Sequence, residues 1–140
     1  MRIPAAAGPK CRSPIRKIQS GGIMTTSGES ERSQAIEWVH KPAGISDIPG
    51  FESGMRYVRR LPGVQGDRHY HPGGHEWFTV VSGSLVFKNG DQPEKLLSAG
   101  QGDYIPPGTI HCGRNPSETE TVVLLLFYLK PKDQPLIEYA

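Results

Sequence analysis

GVQGDRHYHPGGHEWFTVVSG, residues 63–83, places two histidines two positions apart, then a Pro-Gly-Gly turn, then a glutamate heading an apolar run. Residues two apart on a strand face the same side, so His69 and His71 point together. Pro72-Gly73-Gly74 is turn chemistry and lets the chain reverse, bringing Glu76 back toward them. The stretch GQGDYIPPGTIHCGRN, residues 100–115, supplies a second turn at Pro106-Pro107-Gly108 and delivers His111 to the start of another short strand. Each residue taken alone is ordinary: a His-x-His pair is usually surface or core decoration, and a glutamate after a turn is usually solvated. Together, three imidazoles and one carboxylate make a donor set for a divalent transition metal. Four protein ligands on an octahedral ion leave two positions open, as a reactive site requires and a closed structural site does not.

Working outward, the chain reads as strand and turn. Strands are expected over 35–40, 55–61, 76–81, 85–88, 94–98, 104–105, 110–114 and 121–129, punctuated by Gly and Pro. Asn89-Gly90 is a hairpin signal. The longest apolar run, Val122 to Leu129, has eight residues, too short to span a membrane as a helix and suited to a buried strand. It is apolar on both faces and is expected to be covered on both. No sustained helical periodicity and no internal repeat is present.

The chain has 140 residues, 36% of them hydrophobic, enough for one packed domain and too apolar for a wholly disordered chain. Gly 17 and Pro 13 without a collagen repeat favour short strands and tight turns. The net charge is +2, but residues 1–33 carry six bases and two acids, so the remainder nets −2. The body therefore offers no electrostatic reason to bind nucleic acid or an anionic membrane. Residues 1–33 are expected to be a disordered basic tail, with residues 34–140 forming the domain. The tail's acid-free start weakly resembles a transit peptide, against which stands a natural start at Met24. Two cysteines, Cys11 and Cys112, fit a reducing, cytoplasmic setting better than a stapled secreted scaffold, with a Cys11–Cys112 disulfide as the alternative.

The two blocks read Gly63-x5-His69-x-His71-x4-Glu76-x6-Gly83 and Gly100-x5-Pro106-x-Gly108-x2-His111-x3-Asn115. These resemble the two sequence motifs of the cupin superfamily at every defined position. The resemblance covers roughly residues 50–130, with sixteen residues between the blocks. It implies an all-β jelly roll, the double-stranded β-helix barrel. It also implies a metal inside the barrel, held by His69, His71, Glu76 and His111. The resemblance does not fix which metal, leaving Fe, Mn, Zn and Ni open.

Strand parity suggests the pocket lining. Met55, Tyr57, Arg59 and Leu61 form the more apolar face of their strand and are expected inward, which makes Tyr57 and Arg59 candidate substrate contacts. An inward Arg59 would need a partner, either an internal carboxylate or a bound anion. Phe78 shares parity with Glu76 and is expected to line the interior. Trp77 is expected outward, on a face that in cupins is commonly a dimer interface. His75 is expected at the rim, Cys112 is read as a packed residue, and Asn115 as a turn residue.

The leading functional expectation is a metal-dependent monocupin enzyme acting on an oxygen-bearing small molecule. Dioxygenase, isomerase and polyketide-type cyclase are the concrete options, with Glu76 doubling as a catalytic base. The other reading is a non-enzymatic module that binds a metal or small ligand. Polar groups converging on the open metal positions would favour the enzyme; a uniformly apolar lining would favour a carrier.

Overall fold

Alternation of apolar and polar residues, cut by glycines at positive φ, gives a chain of strands. The computed structural model describes residues 48–140 and the backbone of the strand at 33–39. The expected tail, apart from Ser33, lies outside the described residues. The strands are β1 (Ser33–Val39), β2 (Phe51–Arg60), β3 (His69–Tyr70), β4 (His75–Ser82), β5 (Ser84–Asn89), β6 (Lys95–Ser98), β7 (Gly102–Ile105), β8 (His111–Arg114), β9 (Val122–Pro131) and β10 (Glu138–Tyr139). Among the described residues there is no helix, and hence none long and apolar enough to cross a membrane.

The strands form two five-stranded antiparallel sheets, in the orders β1-β2-β9-β4-β7 and β10-β3-β8-β5-β6. No ladder joins one sheet to the other, so the expected closed barrel is a two-sheet sandwich form of the jelly roll. The core lies between the sheets. Val58, Phe78, Val80, Ile105, Val122, Leu124 and Leu126 come from one, and Leu85, Phe87 and Leu97 from the other. β9 is central in its sheet, and its even-numbered side chains up to Lys130 are buried. Its odd-numbered ones are half-buried or, at Phe127, exposed, so the described residues do not cover the outer face.

Turn chemistry sets the register. Gly83 (φ 76°) closes the β4–β5 connection, where a Cβ would meet the Thr121 carbonyl oxygen at 2.9 Å. Gly102 lies so close to β4 that a Cβ would stand 2.0 Å from the Phe78 carbonyl oxygen. Asn115 is a buried turn residue: its amide donates to the carbonyls of Arg60 (3.0 Å) and Glu120 (2.7 Å) and accepts from the Ser117 N–H (3.0 Å). It thereby ties the loop after β8 to the end of β2.

Candidate metal centre

β3 and β8 pair so that His69 lies opposite His111 across the ladder. His71 follows β3 at the turn, and Glu76 enters from β4 in the other sheet. Ring centroids are 4.3 Å apart for His69–His111, 4.9 Å for His71–His111 and 5.3 Å for His69–His71. One ligand nitrogen from each of the three lies within 4.8 Å of the others. His71, Glu76 and His111 are 1%, 2% and 2% exposed.

Backbone carbonyls fix the tautomers. His69 Nδ1 donates to the Asp67 carbonyl (2.9 Å), His71 Nδ1 to Leu136 (2.6 Å) and His111 Nδ1 to Thr109 (2.9 Å). With a proton held on Nδ1, each imidazole turns its Nε2 toward the others. The buried Nε2 atoms of His71 and His111, and Glu76 Oε2, make no hydrogen bond. His71 Nε2 and Glu76 Oε2 stand 3.3 Å apart, two acceptors face to face. A cation between them resolves that conflict, so the residues present fit a bound metal.

The electrostatics agree. Burial, then its neighbours His69 and His71, lower the His111 imidazole from 6.5 to about 4. Burial also lowers His69, despite the opposing Asp67 carbonyl. Burial alone would raise the Glu76 carboxyl, but His71, Arg56 and His111 outweigh it and hold it below its usual range. Neutral imidazoles at His69 and His111 and an ionised carboxylate at Glu76 are the states a metal takes up.

A cavity of about 110 Å³ opens beside this cluster. His69, His111, Glu76, Arg56 and Arg60 line one part; Phe78, Phe87, Leu124, Leu126 and Ile137 line the rest. Phe78 is where its parity puts it. Tyr57 and Arg59 are not: they pair with Leu125 and Val123 on the outer face, whereas Arg56, Val58 and Arg60 pair with the buried Leu126, Leu124 and Val122. The inward face of β2 is thus the less apolar one. The apolar count misled because the outer face of this sheet is itself apolar. The missed signal was a pair of arginines on one parity of β2 facing a glutamate on the inner parity of β4.

Other residues are accounted for outside the cluster. His75 turns outward, stacks on Trp77 (centroids 5.9 Å) and shares a 2.7 Å hydrogen bond with the Tyr104 hydroxyl. Cys112 is buried and is not a free thiol. The segment after β9 was not anticipated as part of the site. The Leu136 carbonyl holds His71, Ile137 lines the cavity, and the Tyr139 ring lies 6.4 Å from His69.

A sequence model of the family described as "Cupin domain" matches residues 56–128. No curated protein matches. Among solved structures, an oxalate oxidase in complex with the substrate analogue glycolate superposes with a TM-score of 0.60 at 20% identity, covering 87% of this chain and 63% of that one. The chain therefore spans less than two thirds of that oxidase. A protein of Thermus thermophilus matches with a TM-score of 0.56 at 25% identity, over 72% of this chain and 85% of that one. A cupin-superfamily sugar phosphate isomerase from Silicibacter pomeroyi matches at 0.55 and 21% identity, over 78% and 71%. At 20–21% identity, the likeness to the oxidase and the isomerase is one of fold.

Proposed function

The chain belongs to the cupin domain family, and from that premise we propose that it is a metal-dependent enzyme acting on a small oxygen-bearing organic molecule. His69, His71, His111 and Glu76 are the residues that would hold the metal, a divalent ion such as Fe, Mn, Zn or Ni. The observation that carries this reading is the set of buried, unpartnered acceptors facing one another, His71 Nε2, His111 Nε2 and Glu76 Oε2. When bound, such an ion supplies Lewis-acid polarisation of a substrate oxygen, or oxygen chemistry if it is iron.

The chain's own residues do the rest. The Asp67, Leu136 and Thr109 carbonyls hold a proton on each Nδ1 and orient the rings. Phe78, Phe87, Leu124, Leu126 and Ile137 give the cavity a largely apolar wall, beside which charge interactions are stronger than in water. Glu76 is the carboxylate in the cavity wall, and a proton released by the substrate would pass to it. Its lowered pKa favours ligation over proton abstraction at rest. A cavity of about 110 Å³ suits a small dioxygenase or isomerase substrate better than a multi-ring polyketide.

The carrier reading draws on the apolar part of the lining. The convergence of Arg56 and Glu76 beside the histidines favours the enzyme. We also propose that the protein is a homodimer through the outer face of the β1-β2-β9-β4-β7 sheet. Trp77 is 44% and Phe127 52% exposed there. They are directly paired across β4 and β9, so their exposed apolar area is contiguous.

The test is metal content of protein purified without chelators, for wild type, His111→Ala and Glu76→Gln, beside turnover of a panel of small hydroxy and oxo compounds with oxygen uptake recorded. The expected result is stoichiometric transition metal in wild type, its loss in His111→Ala, and turnover that follows the metal. A wild type that takes up no metal even on reconstitution would overturn the site; full metal with no turnover on any compound would favour the carrier.

A further inference from the structure

Arg56 and Arg60 both enter the cavity, but they are not equivalent. The Arg60 guanidinium is committed to the backbone, donating to the Gly113 carbonyl (2.6 Å). It is also hemmed in by glycines: a Cβ at Gly66 would lie 2.8 Å from it and one at Gly113 3.2 Å. Arg56 has no such seat. Its side chain is 16% exposed, its buried Nε makes no hydrogen bond, and its nearest charged neighbour is Glu76 Oε2, 4.0 Å from Nη1.

That neighbour has a competing use. Under the metal-enzyme reading above, on which this inference rests, Glu76 gives its charge to the metal. The cavity then holds a divalent ion and two guanidinium groups against one carboxylate, inside walls of Phe, Leu and Ile. Positive charge of that size beside a largely apolar wall favours a bound anion. A planar guanidinium with a free edge is matched by a carboxylate.

We propose that the substrate is a small organic acid whose carboxylate is bound by Arg56. Its metal-seeking oxygen lies only a few bonds from that carboxylate, because the guanidinium and the ligand cluster share the Glu76 edge. Its remaining carbons are apolar and face Phe78, Phe87, Leu124 and Leu126. Arg56 is then the residue that selects acids over their neutral analogues.

The experiment measures binding rather than turnover. Full-length protein, loaded with Mn(II) and also metal-free, is titrated calorimetrically with glycolate, 2-hydroxybutyrate and 2-hydroxyisovalerate, and with the primary amide of each. The same titrations are run on Arg56→Gln and Arg56→Lys, with metal content and far-UV circular dichroism as controls. We expect each acid to bind the Mn(II) form about tenfold or more tighter than its amide, the worth of a charge-assisted hydrogen bond. Arg56→Gln should erase that preference with metal content unchanged, while Arg56→Lys should retain part of it. The larger acids should bind better than glycolate. Equal binding of acid and amide, a preference that survives in Arg56→Gln, or no saturable binding of any acid would overturn the inference. Metal binding without an acid preference overturns this inference alone. An Arg56-dependent acid preference in protein that takes up no metal overturns only the reading beneath it.

Discussion

His111 carries the largest resolved displacement of an imidazole, from 6.5 to about 4, through burial first and its histidine neighbours second. The sign of its effect on stability follows. Between those two values the unfolded chain binds the proton and the folded one does not, so acid favours unfolding across that window. His69, also lowered, acts in the same direction. Glu76, held below its usual 4.5, adds its own loss only at lower pH. The metal-free protein should therefore lose on the order of 3 kcal/mol between pH 6.5 and pH 4 from His111 alone. Urea midpoints measured across that range check this, and His111→Leu should flatten the slope. The clustering of His69, His71 and His111 was legible because turn glycines and histidines carry fixed chemistry at fixed spacing. Arg56 was not, because what makes it inward is a pairing with Leu126, seventy positions away. Parity within one strand says which residues share a face, and not which face is the inside.

The element that the sequence left blank is the segment beyond β9. β10 has two residues, below what periodicity can register, yet it pairs Glu138 with Tyr70 and Tyr139 with His69. Tyr70 donates to the Glu138 carboxylate, Lys130 Nζ donates to the Gln134 carbonyl (2.7 Å), and the Ala140 N–H bonds the Arg68 carbonyl (3.0 Å). The segment thus straps β3 from outside and gives His71 its hydrogen-bond acceptor. Supporting bonds of this kind set the orientation and basicity of a ligand. Deleting residues 134–140 should lower metal affinity by about 10–100-fold, with most of the sheet signal in circular dichroism retained. Unchanged affinity in a chelator competition assay would show that His71 holds its orientation without the strap. By contrast, β4, β5 and β9 were legible as runs of β-forming residues bounded by turn residues, and each supplies side chains to the core.

At the scale of the whole molecule, the outer face of the β1-β2-β9-β4-β7 sheet carries an exposed aromatic patch. Trp77 stacks on Tyr104 (centroids 5.3 Å), and Phe127 lies directly opposite Trp77 on the neighbouring strand. The misread parity of β2 and the two-sided apolarity of β9 have this one source: the outer face is apolar enough to pass for an inner one. In gel filtration with light scattering, wild type should elute as a dimer and Phe127→Glu as a monomer with its metal content intact; a monomeric wild type would overturn the assignment. The strand order also has a consequence for how the protein is made. β2 pairs with β9 from Arg60↔Val122 to Phe51↔Pro131. A ribosome adding ~5–20 residues/s needs several seconds to travel from one strand to the other. During that interval β2 can ladder only with β1, and the β9 edge of β4 has no partner at all. The nascent chain therefore waits with open strand edges until β9 is synthesised. Chaperone dependence should accordingly fall on chains stalled between residues 82 and 122, after β4 is made and before β9 begins.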